Sequence, residues 1–183
     1  MPVARPAFGS VVVCVAAALA AIATVLSLAT APARAGSTSQ LSVLESGVFQ
    51  QINFIRSEHG LVPLRLSAEL GEAADEHSEQ MTEDGYFQHE SADGELFWKR
   101  IATYYASASY SYWSVGENLL WASPTVGSTA ALQMWMHSPE HRANILNPRW
   151  REIGVSAVHA GRAPGVFGNR TVTVITTDFG VRH

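Results

Sequence analysis

The sequence predicts an α+β domain, with helices first and paired strands last. Three observations carry that prediction. Between residues 41 and 137, apolar side chains recur at three- and four-residue steps, the helical period. Beyond residue 150 the period changes to two: Ile153, Val155, Ala157 and His159 alternate with other residues, as do Val172, Val174 and Thr176. Residues 161–170, rich in Gly and Pro, join the two runs as the long loop of an antiparallel hairpin. Helices followed by a hairpin bury their apolar faces by packing on an antiparallel sheet.

The elements follow in order. Leu41, Leu44, Val48, Ile52 and Ile55 form the stripe of a first amphipathic helix, which Gly60 ends. Ser67 is a good N-cap for a second, which places Leu70, Ala73, Ala74, His77 and Met81 on one face. Its other face carries Glu72, Glu76, Glu79 and Glu83, and Gly85 closes it. Residues 95–105 read as a third, shorter helix and residues 128–137 as a fourth, with Trp135 on the inward stripe beside Leu132. Ser138-Pro139 is an N-cap and first-turn pair that opens a new helix carrying His141.

Ahead of these lies an export signal. Residues 1–10 carry one positive charge, residues 11–28 are an apolar run without charge, and Ala33-Arg34-Ala35 fits the small-x-small cleavage rule. The expected organisation is a signal peptide over 1–35, a short polar lead over 36–40 and a domain over 41–183. Cys14, the single cysteine of the 183-residue chain, falls inside the apolar run, so the mature domain has neither disulfides nor a thiol nucleophile. The 148 residues after the signal carry 10 basic and 16 acidic side chains, a formal charge of −6. That balance, with a single lysine at Lys99, excludes the dense basic face that nucleic acid requires.

Among chemistry-bearing residues, His89, Glu117 and His141 offer two imidazoles and a carboxylate, the donor types Zn²⁺ prefers, although spacings of 28 and 24 residues carry no metal signature. The alternative role for these groups is a hydrogen-bond network holding loops against helices, with His141 paired to Glu117 and with Asn118 and Arg142 in support. His137-Ser138-Pro139-Glu140-His141 matches the inverted zinc-protease pattern. The helix start at Ser138-Pro139 leaves His137 outside the helix of His141 and breaks the required alignment. Ser114 and Ser138 lack the Gly-x-Ser-x-Gly setting of a hydrolase nucleophile. Tyr104, Tyr105, Tyr110, Tyr112 and Trp113 cluster in a Ser-rich stretch that an exposed loop would present to a sugar, lipid or partner.

The ordered motifs resemble those of the CAP superfamily of cysteine-rich secretory proteins, antigen 5 and pathogenesis-related proteins. They are Asn53-x-x-Arg56, Gly60-Leu61-x-Pro63-Leu64, Ala73-x-x-x-His77, His89 and Gly116-Glu117-Asn118-Leu119. There follow Trp135-Met136-x-Ser138-Pro139-x-His141-Arg142-x-Asn144-Ile145-Leu146, Ile153-Gly154-Val155 and Thr177-Asp178-Phe179-Gly180. The resemblance spans residues 44–180 and, without disulfides, points to the bacterial branch. It implies an α-β-α sandwich with an antiparallel sheet between helices, and a cleft lined by His89, Glu117, Ser138 and His141. Ser138 stands where many relatives place a second glutamate. The function implied is that of a secreted, monomeric, non-catalytic module binding an extracellular ligand or cell-envelope component, with no stable membrane anchor after cleavage. A divalent metal such as zinc is expected on His89, Glu117 and His141. The alternative is a metal-dependent hydrolase of extracellular peptide or cell-wall material using the same three residues.

Overall fold

The structure, a computed structural model, describes residues 42–183. The signal peptide and polar lead expected over 1–40, with Cys14 and Leu41, lie outside the described residues. No helix among the described residues is long and apolar enough to cross a membrane.

Helix α1 spans Val43–Glu58 and opens on a capping box: Ser42 Oγ accepts from the Glu45 amide, and the Glu45 carboxylate accepts from the Ser42 amide. The other oxygen of Glu45 accepts from the Ala157 amide at 3.0 Å, tying the helix start to the sheet. The Asn53-x-x-Arg56 motif works at the far end. Asn53 exchanges two hydrogen bonds with the Leu64 backbone. The fully buried Arg56 donates to the carbonyls of Val62, Ile145 and Asn147. One guanidinium thus satisfies carbonyls from two separate loops.

Strand β1 is the pair Arg65–Leu66. Helix α2, Ala68–Asp84, is capped by Ser67 and ended by Gly85 in the left-handed region, and Leu70, Ala73, Ala74, His77 and Met81 are its buried face. Helix α3, Phe97–Tyr104, begins two residues later than the sequence suggests. Asp93 accepts from the Glu95 amide, and Gly94 takes φ 86°, so residues 91–95 close a turn before the helix starts. Strand β2 covers Trp113–Ala122, α4 Ser128–His137, α5 Pro139–Ile145, β3 Glu152–Ala163 and β4 Arg170–Arg182. A single 3-10 turn, Gly165–Phe167, sits inside the expected hairpin loop. Both hairpin strands are longer than their alternating cores, because pairing continues to Ala163 in β3 and, against β2, to Arg182 in β4.

The sheet order is β1-β3-β4-β2, antiparallel except that β1 runs parallel to β3. Residues of α1, α4 and α5 pack on one face with Ile153, Val155, Ile175 and Phe179. Residues of α2 and α3 pack on the other with Trp113, Val115, Leu119, Val172 and Val174. The architecture is therefore the α-β-α sandwich. Gly154 permits the close fit of α2, since a Cβ there would lie 2.1 Å from the Leu70 carbonyl carbon.

Besides the two-residue β1, strand β2 is the element that the sequence does not signal. Residues 116–120 are buried without alternation, because helices cover both faces. Gly116, Glu117 and Asn118 are also weak strand formers. The exposed aromatic stretch contracts as well. Tyr105 is fully buried and Trp113 donates to the Tyr105 carbonyl, which leaves Tyr110 and Tyr112 as the exposed rings.

Candidate functional site

Strand β2 is an edge of the sheet, and an edge exposes a row of unpaired backbone groups. Here side chains cover it. Asn144 Nδ2 donates to the Glu117 carbonyl at 3.1 Å and to Asn118 Oδ1 at 3.0 Å. Trp135 Nε1 donates to the Leu119 carbonyl at 3.0 Å, and Asn118 Nδ2 donates to the His141 carbonyl at 3.1 Å. Gly116 makes room for this cover, since a Cβ would meet Asn144 Oδ1 at 2.7 Å and the Trp150 ring at 2.8 Å. Asn118 thus supports the loop as expected. Arg142 does not; it is exposed, and Asn144 fills that place.

Along the covered edge runs a groove of about 390 Å³ between the two helical layers. His89, in the loop after α2, and Phe97 of α3 come from one side. Glu140, His141 and Asn144 of α5 come from the other, with Glu117 between them. The fold therefore brings His89, Glu117 and His141 to one groove. Ser138 is not among the groove-lining residues; it sits at the junction of α4 and α5, and its side chain makes no capping hydrogen bond. His137 ends α4 with Nδ1–H donating to the Gln133 carbonyl, so the inverted-protease alignment is absent, as the helix start at Pro139 predicts.

The electrostatics are organised behind the groove. Glu117 has a side chain with 0 % exposure. One oxygen accepts from His89 Nδ1–H at 2.7 Å, and the other accepts from Arg100 Nη2. Arg100, itself buried, donates from Nη1 to the His89 carbonyl at 3.1 Å, so one guanidinium fixes both members of the pair. The histidine paired with Glu117 is thus His89 rather than His141. The hydrogen bond to Glu117 raises the His89 pKa above the ordinary imidazole value, outweighing burial. His141 shifts the other way, lowered by burial and then by the neighbouring His89.

A further carboxyl completes the network. Asp178, on β4, pairs directly with Glu117 across the ladder and is fully buried. Neither of its oxygens finds a donor among the described residues. Burial, followed by the charge of Glu117, raises its pKa well above the carboxylate range. Both effects favour the protonated acid, whose hydroxyl would have the Glu117 carboxylate beside it as an acceptor. His77 of α2 lies on the same side, with Nε2–H donating to the Gln88 carbonyl at 2.9 Å, and burial pushes its pKa down to about 4. Arg100 and Asp178 escaped the sequence reading because a buried charge leaves no periodic trace; Asp178 was at least inside a motif that carried the resemblance.

As arranged, these residues do not fit a three-ligand metal centre. Glu117 is engaged on both oxygens, and no three His, Cys, Asp or Glu side chains among the described residues converge as a metal-holding group.

Comparison with known proteins gives a consistent picture. The family described as "Cysteine-rich secretory protein family" (CAP) matches residues 49–175. The uncharacterised protein YkwD of Bacillus subtilis (strain 168) is 34 % identical over 124 residues, 67 % of this chain and 46 % of the relative. An uncharacterised membrane protein of that organism, YlbC, is 32 % identical over 111 residues, 61 % of this chain and 30 % of its own length. The chain therefore spans less than half of the curated relatives it matches. The structure of an extracellular SCP-domain protein from Bacillus anthracis str. Ames superposes with a TM-score of 0.55 at 28 % identity, covering 78 % of this chain and 44 % of that one. An outer surface protein of Borrelia burgdorferi shares the fold, with a TM-score of 0.57 at 20 % identity over 74 % of this chain and 90 % of that one.

Proposed function

Because the chain belongs to the CAP family of cysteine-rich secretory proteins, we propose that it is an extracellular, non-catalytic binding module whose groove on the β2 edge takes a small polar ligand. The observation that carries this reading is the complete burial of the Glu117 side chain between Arg100 and His89. A general base must reach the proton it removes. The Glu117 side chain has no accessible surface, so it acts only by orienting His89 and favouring its charged form. His89, 46 % exposed at its side chain, then turns its second ring nitrogen to the groove, a donor when the ring is protonated, the form that the Glu117 hydrogen bond favours. His141 presents a ring of lowered proton affinity as an acceptor. A donor facing an acceptor across a groove suits recognition of a ligand carrying both. A serine hydrolase lacks its nucleophile here, since neither Ser114 nor Ser138 lines the groove; the metal-dependent alternative would instead need Glu117 free to act on a water, and both its oxygens are engaged.

A second reading has one observation in its favour. Metal-binding histidines commonly donate their other ring N–H to a carboxylate, as His89 does to Glu117. In that reading His89 Nε2 and His141 hold a divalent metal such as zinc weakly, and Glu117 is the supporting carboxylate rather than a ligand. Calorimetric titration of Zn²⁺ into wild type, His89→Ala, His141→Ala and Glu117→Gln separates the readings. Heat lost in both histidine variants and only weakened in Glu117→Gln supports the metal; equal heats in all four proteins leave polar-ligand recognition.

A further inference from the structure

A larger groove than that on the β2 edge lies elsewhere. It measures about 590 Å³, inside the range of roughly 300–1,000 Å³ typical of small-ligand sites. Four arginines line it: Arg65 from β1, Arg149 and Arg151 from the loop after α5, and Arg182 at the end of β4. The described residues are acidic overall, with 10 basic side chains against 16 acidic ones. Four of those ten basic groups converging on one groove reverse the local charge, and the single acid lining it is Glu152.

The four guanidiniums divide into two kinds. Arg182 is tied to Glu69 and stacks over Tyr105 and Tyr110, 3.9 and 5.0 Å from the ring centres. Arg151 is fixed by donating to the carbonyls of Pro148, Arg149 and Trp150. Arg65 and Arg149 are exposed, and neither guanidinium has an internal hydrogen bond among the described residues. Two positioned cations thus shape the groove, and two are left with donors to offer. An arginine fork matches the oxygens of a carboxylate or phosphate in two parallel hydrogen bonds.

Two aromatic rings share the wall. Tyr110 is 42 % exposed and Tyr112 36 %. They are held in place. Tyr112 and His183 exchange backbone hydrogen bonds of 2.8 and 3.1 Å, extending the β2–β4 ladder by one pair, and their rings stack at 5.0 Å. Exposed tyrosines present an apolar face with a polar rim, the surface that suits a sugar ring. Aromatic rings beside arginines also suit single-stranded nucleic acid, but the net negative charge of the chain opposes a long polyanion.

We propose that this groove is a binding site for a small saccharide bearing a carboxylate or phosphate, with the oxyanion on Arg65 and Arg149 and the sugar ring against Tyr110 and Tyr112. The site is independent of the β2-edge groove and stands whether or not that groove binds anything.

The test is an NMR titration at low ionic strength, following the backbone amides of Tyr110, Tyr112 and His183. The probes are glucose 6-phosphate, glucuronate, inorganic phosphate, glucose and a thymidine tetranucleotide. Saturable shifts with glucose 6-phosphate, glucuronate or both support the site, and their relative affinities assign phosphate or carboxylate. The Arg65→Ala/Arg149→Ala double variant, which removes two exposed and internally unbonded side chains, should weaken that binding at least about tenfold, the scale of one charged hydrogen bond. Inorganic phosphate binding as tightly as glucose 6-phosphate would overturn the saccharide assignment. So would tighter binding of the tetranucleotide, unchanged affinity in the double variant, or the absence of shifts with either charged sugar.

Discussion

The groove on the β2 edge and the arginine groove both gather charged side chains, but they use them differently. Behind the first, Arg100 and Glu117 are buried and paired with each other beside the buried Asp178, so that His89 and His141 are what a ligand meets. In the second, Arg65 and Arg149 are exposed with no internal partner among the described residues, and a ligand meets the charges themselves. The difference is one of cost. A buried ion pair is costly to break because removing one partner strands the other in a low dielectric. An exposed cation is already hydrated, and losing it costs the fold little. The first groove should therefore be read through stability and the second through binding.

The sharpest way to break that contrast is Arg100→Ala. It strands Glu117 beside Asp178 and should cost about 3–5 kcal/mol by urea denaturation at neutral pH. A loss below about 1 kcal/mol would mean that the carboxylate relaxes into water and that the network is not buried in solution.

Next in size is acid sensitivity from His77. Its folded pKa of about 4 lies below the unfolded value of 6.5, because burial beside Arg100 disfavours the charged ring. The unfolded chain therefore binds the extra proton first, and stability falls as pH drops from 6.5 toward 4. The loss over that window is about 3 kcal/mol. Urea titrations across it should show the fall, and His77→Gln, which keeps a donor for the Gln88 carbonyl but does not titrate, should flatten it.

Asp178 has the opposite sign. Its folded pKa is raised, so its contribution is complete below the unfolded carboxyl value and is lost as pH rises through the folded one. Asp178→Asn supplies an N–H donor to Glu117 at every pH. The variant should lie within about 1 kcal/mol of wild type near pH 5 and be the more stable protein near pH 8. A variant equally destabilised at both values would show that Asp178 is not held as the acid.

The smallest effect belongs to the other groove. Arg65→Ala should change stability by no more than about 0.5 kcal/mol, since its guanidinium touches nothing that folding depends on. A larger loss would erase the distinction between the two grooves.

How far the sequence revealed all this varies by element. Helix α2 was legible to the residue, because Ser67 and Gly85 mark its ends chemically and its buried face repeats at the helical period. Strand β2 was invisible to periodicity, being covered on both faces and interrupted by Gly116-Glu117-Asn118. Of the site, His89, Glu117 and His141 came from resemblance rather than spacing, and the structure does bring them to one groove. Their pairing was not legible. Choosing between His89 and His141 as the partner of Glu117 depends on which layer each occupies, which no local pattern encodes. Arg100 sits at the buried position of a short helix that otherwise reads as amphipathic, and Asp178 sits mid-strand where an apolar residue is expected. Arg65 and Arg149 are 84 residues apart and meet only because β1 runs alongside the start of β3.

The central claim is that Glu117 is an internal counter-ion rather than the reactive group of the groove. A double-mutant cycle of Arg100→Ala and Glu117→Gln, read by urea denaturation at neutral pH, tests it most directly. If the two groups satisfy each other in the interior, each single variant is strongly destabilised while the double variant is little worse than either, and the coupling approaches one single loss, about 3 kcal/mol or more. Additive losses, with coupling below about 0.5 kcal/mol, would contradict the account and return Glu117 to the groove as a group free to act on a ligand.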